Sequence, residues 1–243
     1  MKIKIPSRFI KVREDCSEIY KVKKDVIFFD SVNLRFSLVK NKISGKNNKI
    51  YIKDGDILRE VKKVPGLTFK ISGNDNKIII DKSCYFMNSS IYIWGSQGEI
   101  IFAENVRCLK SLIDQGTNST NRKIYIGKNN YLLEMKIHNW GDNVNFILGD
   151  FCMLSSGIKV LTSDGHPIKN IYTEEIINKP GSVNIGEKCW IGKDVTFCKN
   201  ITIVPNTIVG IGSVVTKSFH DENTIIAGNP ARVIKKDVTY SFR

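Results

Sequence analysis

The chain has 243 residues, 42% of them apolar and 25% charged, and a formal net charge of +13 at pH 7. That length and composition fit a soluble globular protein of one large or two modest domains. No apolar run approaches the roughly 18 residues that cross a bilayer, and Met1-Lys-Ile-Lys-Ile-Pro has no apolar stretch behind its basic residues. Neither a membrane span nor a signal peptide is therefore expected, and the cytoplasm is the expected compartment. The charge favours an anionic partner such as an acidic polysaccharide or a phosphate-rich ligand. The lysines are spread through Lys/Asn turns, without the basic tract or aromatic-basic motif of a nucleic-acid module, so nucleic acid is not the expected partner.

Residues 1–40 hold two short strand-like runs, Phe9-Ile-Lys-Val and Val26-Ile-Phe-Phe, separated by charged segments, and read as an N-terminal cap or irregular strands. From Lys42 a loose repeat begins. Lys42-Ile-Ser-Gly-Lys-Asn-Asn-Lys-Ile-Tyr-Ile returns as Lys70-Ile-Ser-Gly-Asn-Asp-Asn-Lys-Ile-Ile-Ile, each copy reading strand, Gly/Asn turn, strand. Residues 41–123 are thus expected to form irregular turns of a coil, with the polar segment Arg107 to Arg122 as a loop protruding from it.

Residues 124–220 are more regular. A six-residue frame runs through Ile126, Leu132 and His138, where an opener histidine would line the coil, and restarts at Leu148, Leu154 and Val160. It stops at His166, and the stretch near 166–184 has prolines and charges but no hexad, which marks an inserted loop. From Ile185 to His220 six consecutive units open on Ile185, Ile191, Phe197, Ile203, Val209 and Val215. Neither a helix nor a two-sided strand has a period of six. A parallel β-helix does: each unit makes one short face and three units make one turn, so the fold class is all-β. The openers should point inward, with Cys189, Val195, Ile201, Thr207 and Ser213 filling the space beside them. Residues 221–243 read as a C-terminal closure through Gly228-Asn-Pro. The six cysteines (Cys16, Cys84, Cys108, Cys152, Cys189, Cys198) lack any Cys-x-x-Cys spacing and are read as buried free thiols.

Across roughly 124–236 these motifs occur in order: Leu148-Gly-Asp, Thr162-Ser-Asp-Gly-His-Pro-Ile, Val183-Asn-Ile-Gly-Glu-Lys-Cys-Trp-Ile-Gly, Gly210-Ile-Gly-Ser-Val-Val-Thr-Lys and Ala227-Gly-Asn-Pro-Ala-Arg-Val-Ile. The chain resembles the hexapeptide-repeat acyltransferases, in particular the galactoside, maltose, capsule and polysialic-acid O-acetyltransferases. The resemblance implies a left-handed parallel β-helix, a homotrimer, and acetyl-CoA as donor in the groove between subunits, with a carbohydrate acceptor.

It also implies roles for residues. His166 would be the general base that takes a sugar hydroxyl proton. Trp190 would wall the acetyl and pantetheine channel, and the Lys193 backbone N–H would meet the oxyanion. Lys193, Ile211, Thr216, Lys217, Arg232 and Lys235 would bind the donor; the family commonly has alanine where Ile211 stands. Asp164, Glu174 and Glu175 are rival partners for His166. His138 and His220 are both distant from His166 along the chain and do not supply the close pair of a three-histidine zinc site, so no metal is expected. O-acetylation of an acidic bacterial surface polysaccharide is the expected function. N-acetylation of a nucleotide-linked amino sugar and a non-catalytic trimeric scaffold are the alternatives.

Overall fold

A six-residue unit cannot fold alone, because its apolar opener is buried only when another turn lies above or below it. The computed structural model, which describes residues 41–116 and 119–241, meets that demand with a parallel β-solenoid of about seven turns and three eight-stranded sheets. The first face runs from Lys42–Ile43 to Val214–Val215, the second from Lys49–Asp54 to Ile201–Ile203, and the third from Tyr85–Met87 to Ile208–Val209 and the C-terminal strands. Ile57–Glu60 folds back antiparallel on Lys49–Asp54 at the edge of the second face, and from Leu67–Ile71 on the chain visits the faces in that order, turn after turn. The N-terminal cap expected over residues 1–40 lies outside the described residues.

The register explains why the hexad is plain in one half and obscure in the other. In the regular stretch Val183 lies opposite Ile201, and Thr196 opposite Val214, so one turn takes three hexads. Nearer the N-terminus the turns are longer. Lys77 lies opposite Glu99, between three and four hexads on, and Lys49 opposite Lys77, between four and five hexads on. The copies starting at Lys42 and Lys70 are therefore successive turns of one coil. Longer turns carry strands of up to seven residues, such as Ser96–Phe102, and their alternation hides the period of six.

The core is a column of stacked openers. Ile185, Ile191, Phe197, Ile203, Val209 and Val215 are all buried, as are Cys189, Val195, Ile201, Thr207 and Ser213 beside them. Corners between faces bend through left-handed residues, mostly Asn or Asp, such as Asn200 (φ 58°) and Asn206 (φ 56°), whose short polar side chains tolerate that conformation. At the C-terminus Ile225–Gly228 continues the third face and turns back antiparallel into Ala231–Lys235. The closing strand ends in exposed Lys235, and a charged edge discourages further strand addition.

Two expectations are corrected. Arg107–Leu109 and Leu112–Gln115 are strands of the third and first faces, and Thr120–Ile126 begins the next strand of the second, so the described part of 107–122 is coil rather than a protruding loop. Its polarity misleads because Gln115 and Arg122 point inward and are buried. His138 does not line the coil either. Ile137 takes the inward position, opposite Val160, and strand alternation turns His138 outward. Of the described cysteines, Cys108, Cys152 and Cys189 are buried and Cys84 and Cys198 half-buried, all as free thiols; burial pushes the Cys84 thiol up to about 12. Among the described residues no helix is long and apolar enough to cross a membrane.

Phe197 is fully buried with turns on both sides. Phe197→Ala should destabilise the solenoid by about 3–5 kcal/mol, from lost transfer energy and the cavity left behind. The urea midpoint of unfolding should fall accordingly.

Candidate active site

The inserted loop leaves the solenoid where the first face meets the second, after the strand Lys159–Leu161 and before Val183–Ile185. Thr162 pins its entry: the backbone N–H donates to the His138 carbonyl (3.1 Å) and the hydroxyl to the Trp140 carbonyl (2.8 Å). The Gly181 N–H returns to the Thr162 carbonyl at 2.9 Å, so exit and entry are tied together. Between them the loop folds on itself as a small hairpin. Ile177 N–H donates to Ile168 O and Asn170 N–H to Glu175 O, both at 2.9 Å.

His166 sits exposed just inside the entry, and Asn178 positions it through the backbone, its Nδ2 donating to the His166 carbonyl at 2.9 Å. The same Nδ2 donates to Asp164 Oδ2 at 2.8 Å, and Lys199 from the next turn pairs with that oxygen. Glu174 pairs with Lys169 at 3.1 Å. Two of the three carboxylates considered as partners for His166 are thus committed to lysines. Behind the loop lies a cavity of about 650 Å³ lined by Glu175, Ile177, Lys199 and Thr216 among others.

Trp190 belongs to the third face, opposite Met153 and Ile208, and the residue is 40% exposed. Lys193 and Ile211 follow on successive turns at the corner between the third and first faces, where Gly212 N–H donates to the Lys193 carbonyl at 2.8 Å. The two turns stack closely enough there that a Cβ on Gly192 would stand 2.7 Å from the Ile211 nitrogen. Ile211 is 72% exposed, an apolar side chain held into solvent. Arg232 and Lys235 lie on the closing strand of the same face, and Lys235 falls in the register column of Trp190 through Ile225 and Ile208.

The residues singled out from the sequence therefore form two groups. His166, Thr216 and Lys217 gather at the corner between first and second faces. Trp190, Lys193, Ile211, Arg232 and Lys235 gather on the third face and its corner with the first. The first face separates them, and six extended residues span about 20 Å. One chain does not bring the groups together. Thr216 and Lys217 stand on the loop side of the first face, and Lys217 Nζ lies 5.6 Å from the Phe219 ring centroid. Sequence reading passed over Asp114 and Trp140, which meet His138 beneath the loop entry. They are too far apart in sequence to form a motif.

Hydrogen bonds from Lys199 and Asn178 hold the Asp164 carboxyl below its usual range. A carboxyl whose folded pKa is depressed stabilises the fold at pH values above its unfolded pKa, about 4, and that contribution is lost as the pH falls through the lowered folded value. Lys199→Met should expose residues 163–182 to limited proteolysis at pH 7. The difference in thermal midpoint between variant and wild type, present at pH 7, should close as the pH drops below about 4.

No family model matches the chain. It is 31% identical over 173 residues to a polysialic acid O-acetyltransferase of Neisseria meningitidis, covering 70% of this chain and 77% of that protein. A polysialic acid O-acetyltransferase of Escherichia coli O1:K1 / APEC is 29% identical over 100 residues, 41% of this chain and 32% of that protein. The chain spans only 32% to 59% of the length of several curated relatives that it matches, the Escherichia coli protein among them. Among solved structures, that of a polySia-specific acetyltransferase superposes with a TM-score of 0.73 at 23% identity, covering 84% of this chain and 89% of that one. That likeness shows the fold, a left-handed parallel β-helix, an exception to the usual right-handed crossover. With this architecture, and with a relative above 30% identity matched over most of its length, the chain belongs to the hexapeptide-repeat acyltransferase family.

Proposed function

We propose that this protein is an acetyl-CoA-dependent O-acetyltransferase that acetylates a sugar hydroxyl of an acidic bacterial surface polysaccharide, and that it works as a homotrimer. The observation that carries this reading is the division of the site into two halves on separate corners. His166 with its loop and Trp190 with the Lys193–Ile211 edge are complementary halves that one chain keeps apart and a neighbouring copy around a threefold axis would join. Apolar side chains left in solvent suit such an assembly. Ile171 and Tyr172 at the loop tip are 78% and 89% exposed, beside Trp190 and Ile211 on the other half.

At each shared groove His166 takes the proton from the acceptor hydroxyl as that oxygen attacks the thioester carbonyl. The Lys193 backbone N–H donates to the oxyanion while Trp190 excludes water from the reacting carbon. The C–S bond then breaks, the ester forms, and His166 returns its proton to the departing thiolate. No covalent enzyme intermediate is required, because the thioester is already activated. Lys193, Arg232 and Lys235 supply cations for the donor's phosphates on the Trp190 half, with Thr216 and Lys217 reaching the same groove from the neighbouring copy. Ile211 narrows the channel where the family commonly has alanine. The name of the relative matched over 77% of its length, together with a net charge of +13, favours a polyanionic glycan as acceptor.

Release of free thiol from acetyl-CoA, followed with oligosialic acid and other acidic oligosaccharides, tests the activity. His166→Ala should lower turnover by about 10²–10⁴ with donor binding retained; wild-type turnover in that variant would remove His166 from the role of base. A mixing experiment tests the shared site. His166→Ala and Trp190→Ala chains, each inactive alone, should recover about a quarter of the wild-type sites when refolded together one to one, because a random neighbouring pair supplies both intact halves that often. No recovery, or a monomer in sedimentation, would place the site within one chain.

A further inference from the structure

His138 and Asp114 are register neighbours on adjacent strands of the first face, both pointing outward. His138 Nδ1 lies 3.7 Å from Asp114 Oδ2, and the side chains are 30% and 14% exposed. Trp140 closes the group. Its indole Nε1–H donates to the same Oδ2 at 3.2 Å, and its ring meets the imidazole edge-on with centroids 5.3 Å apart. The indole can lie down on the coil because residue 116 is glycine; a Cβ there would stand 2.6 Å from it.

The imidazole is oriented by its surroundings. Among the described residues Nδ1 is buried without a hydrogen-bond partner, and so is Asp114 Oδ1. A buried N–H is least costly where it faces a carboxylate, so the proton belongs on Nδ1 and the lone pair on Nε2. The ring's exposure belongs to atoms other than Nδ1. The position also points to function. The Thr162 N–H and hydroxyl both donate to the His138 carbonyl, at 3.1 and 3.3 Å, and a Cβ on Gly165, the residue before His166, would lie 3.7 Å from the Trp140 ring.

We propose that Asp114, His138 and Trp140 form an acceptor-positioning subsite next to His166. His138 Nε2 accepts a hydrogen bond from a hydroxyl of the acceptor sugar other than the one acetylated. Trp140 offers the apolar part of the indole to a sugar ring face, and Asp114 acts through His138 by fixing its tautomer. The subsite rests on the polysaccharide-acetyltransferase reading above. A group built to hydrogen-bond a substrate hydroxyl discriminates against acceptors that lack it, so the acetylated position would be chosen here rather than by His166.

Steady-state kinetics with oligosialic acid, beside acceptor-free thioester hydrolysis, tests this. His138→Ala should raise the acceptor KM about tenfold or more, leaving the acetyl-CoA KM and the acceptor-free hydrolysis at wild-type values. His138→Gln, which keeps an acceptor atom near the Nε2 position, should recover much of the loss, and Asp114→Asn should fall between. A merely structural role would instead lower the thermal midpoint and affect all substrates together. An acceptor KM within twofold of wild type in a folded His138→Ala protein would overturn the proposal. Direct binding of oligosialic acid by calorimetry separates this from failure of the underlying reading. Binding without acetyl transfer, weakened by His138→Ala, keeps the subsite and rejects the reaction; absence of binding to the wild-type protein rejects the subsite.

Discussion

Everything in this molecule depends on the stacking of one turn on the next. Each strand is too short to be stable alone, and its backbone N–H and C=O groups find partners on the turns before and after it. Stacking fixes which side chains face inward, where Phe69, Phe146 and Phe197 are fully buried, and leaves the outward positions and corners free to vary. Chemistry can be placed only on those free positions. The candidate site residues sit at corners or outward on strands, and none of them belongs to the column of openers.

The inserted loop is the largest departure from this order, and local interactions hold it. Phe146 and Val183 are register neighbours although the whole loop lies between them in sequence, so it hangs outside an uninterrupted ladder and costs the stack little. Its hold on the coil comes from Thr162, from the return of Gly181, and from Lys199 reaching back to Asp164. The ion pair is partly exposed and contributes modestly. The hydrogen bonds at the base are the firmer attachment, and they tie the loop to His138 and Trp140.

Beneath that base the interior turns polar. Among the described residues the buried Arg122 makes one side-chain hydrogen bond, Nη1 to the Gly116 carbonyl at 2.7 Å, while its Nε and Nη2, both amide atoms of Gln115 and both of Asn139 lack partners there. Room for them comes from glycines: a Cβ on Gly98 would stand 2.3 Å from Gln115 Oε1, and one on Gly95 2.6 Å from Arg122 Nη2. Burial lowers the Arg122 guanidinium to about 10, against the opposing pull of Asp142 and Asp114, so it remains a cation at neutral pH. A buried cation with so few hydrogen bonds is costly relative to an apolar core. Its electrostatic partner Asp114 is also the carboxylate behind His138, which places the polar interior directly behind the first face at the loop.

The sequence by itself determined the solenoid, because one turn of the regular stretch is three hexads and every opener from Ile185 to Val215 obeys one inward rule. It also determined the insertion and the position of His166 within it, since a loop is the place where the period stops. The motifs around Trp190, Lys193 and Ile211 were legible for the same reason, being local. Where turns lengthen beyond three hexads the period dissolves, so the strands in 107–122 read as loop and His138 was set on the wrong side of its strand. Only the tertiary structure decided which corner each residue occupies. Thr216 and Ile211 are close in sequence yet sit at opposite corners of the first face, whereas Asp114, His138 and Gly165 are distant in sequence yet gather at one. Register between turns of unequal length makes those neighbours, and no spacing along the chain encodes it.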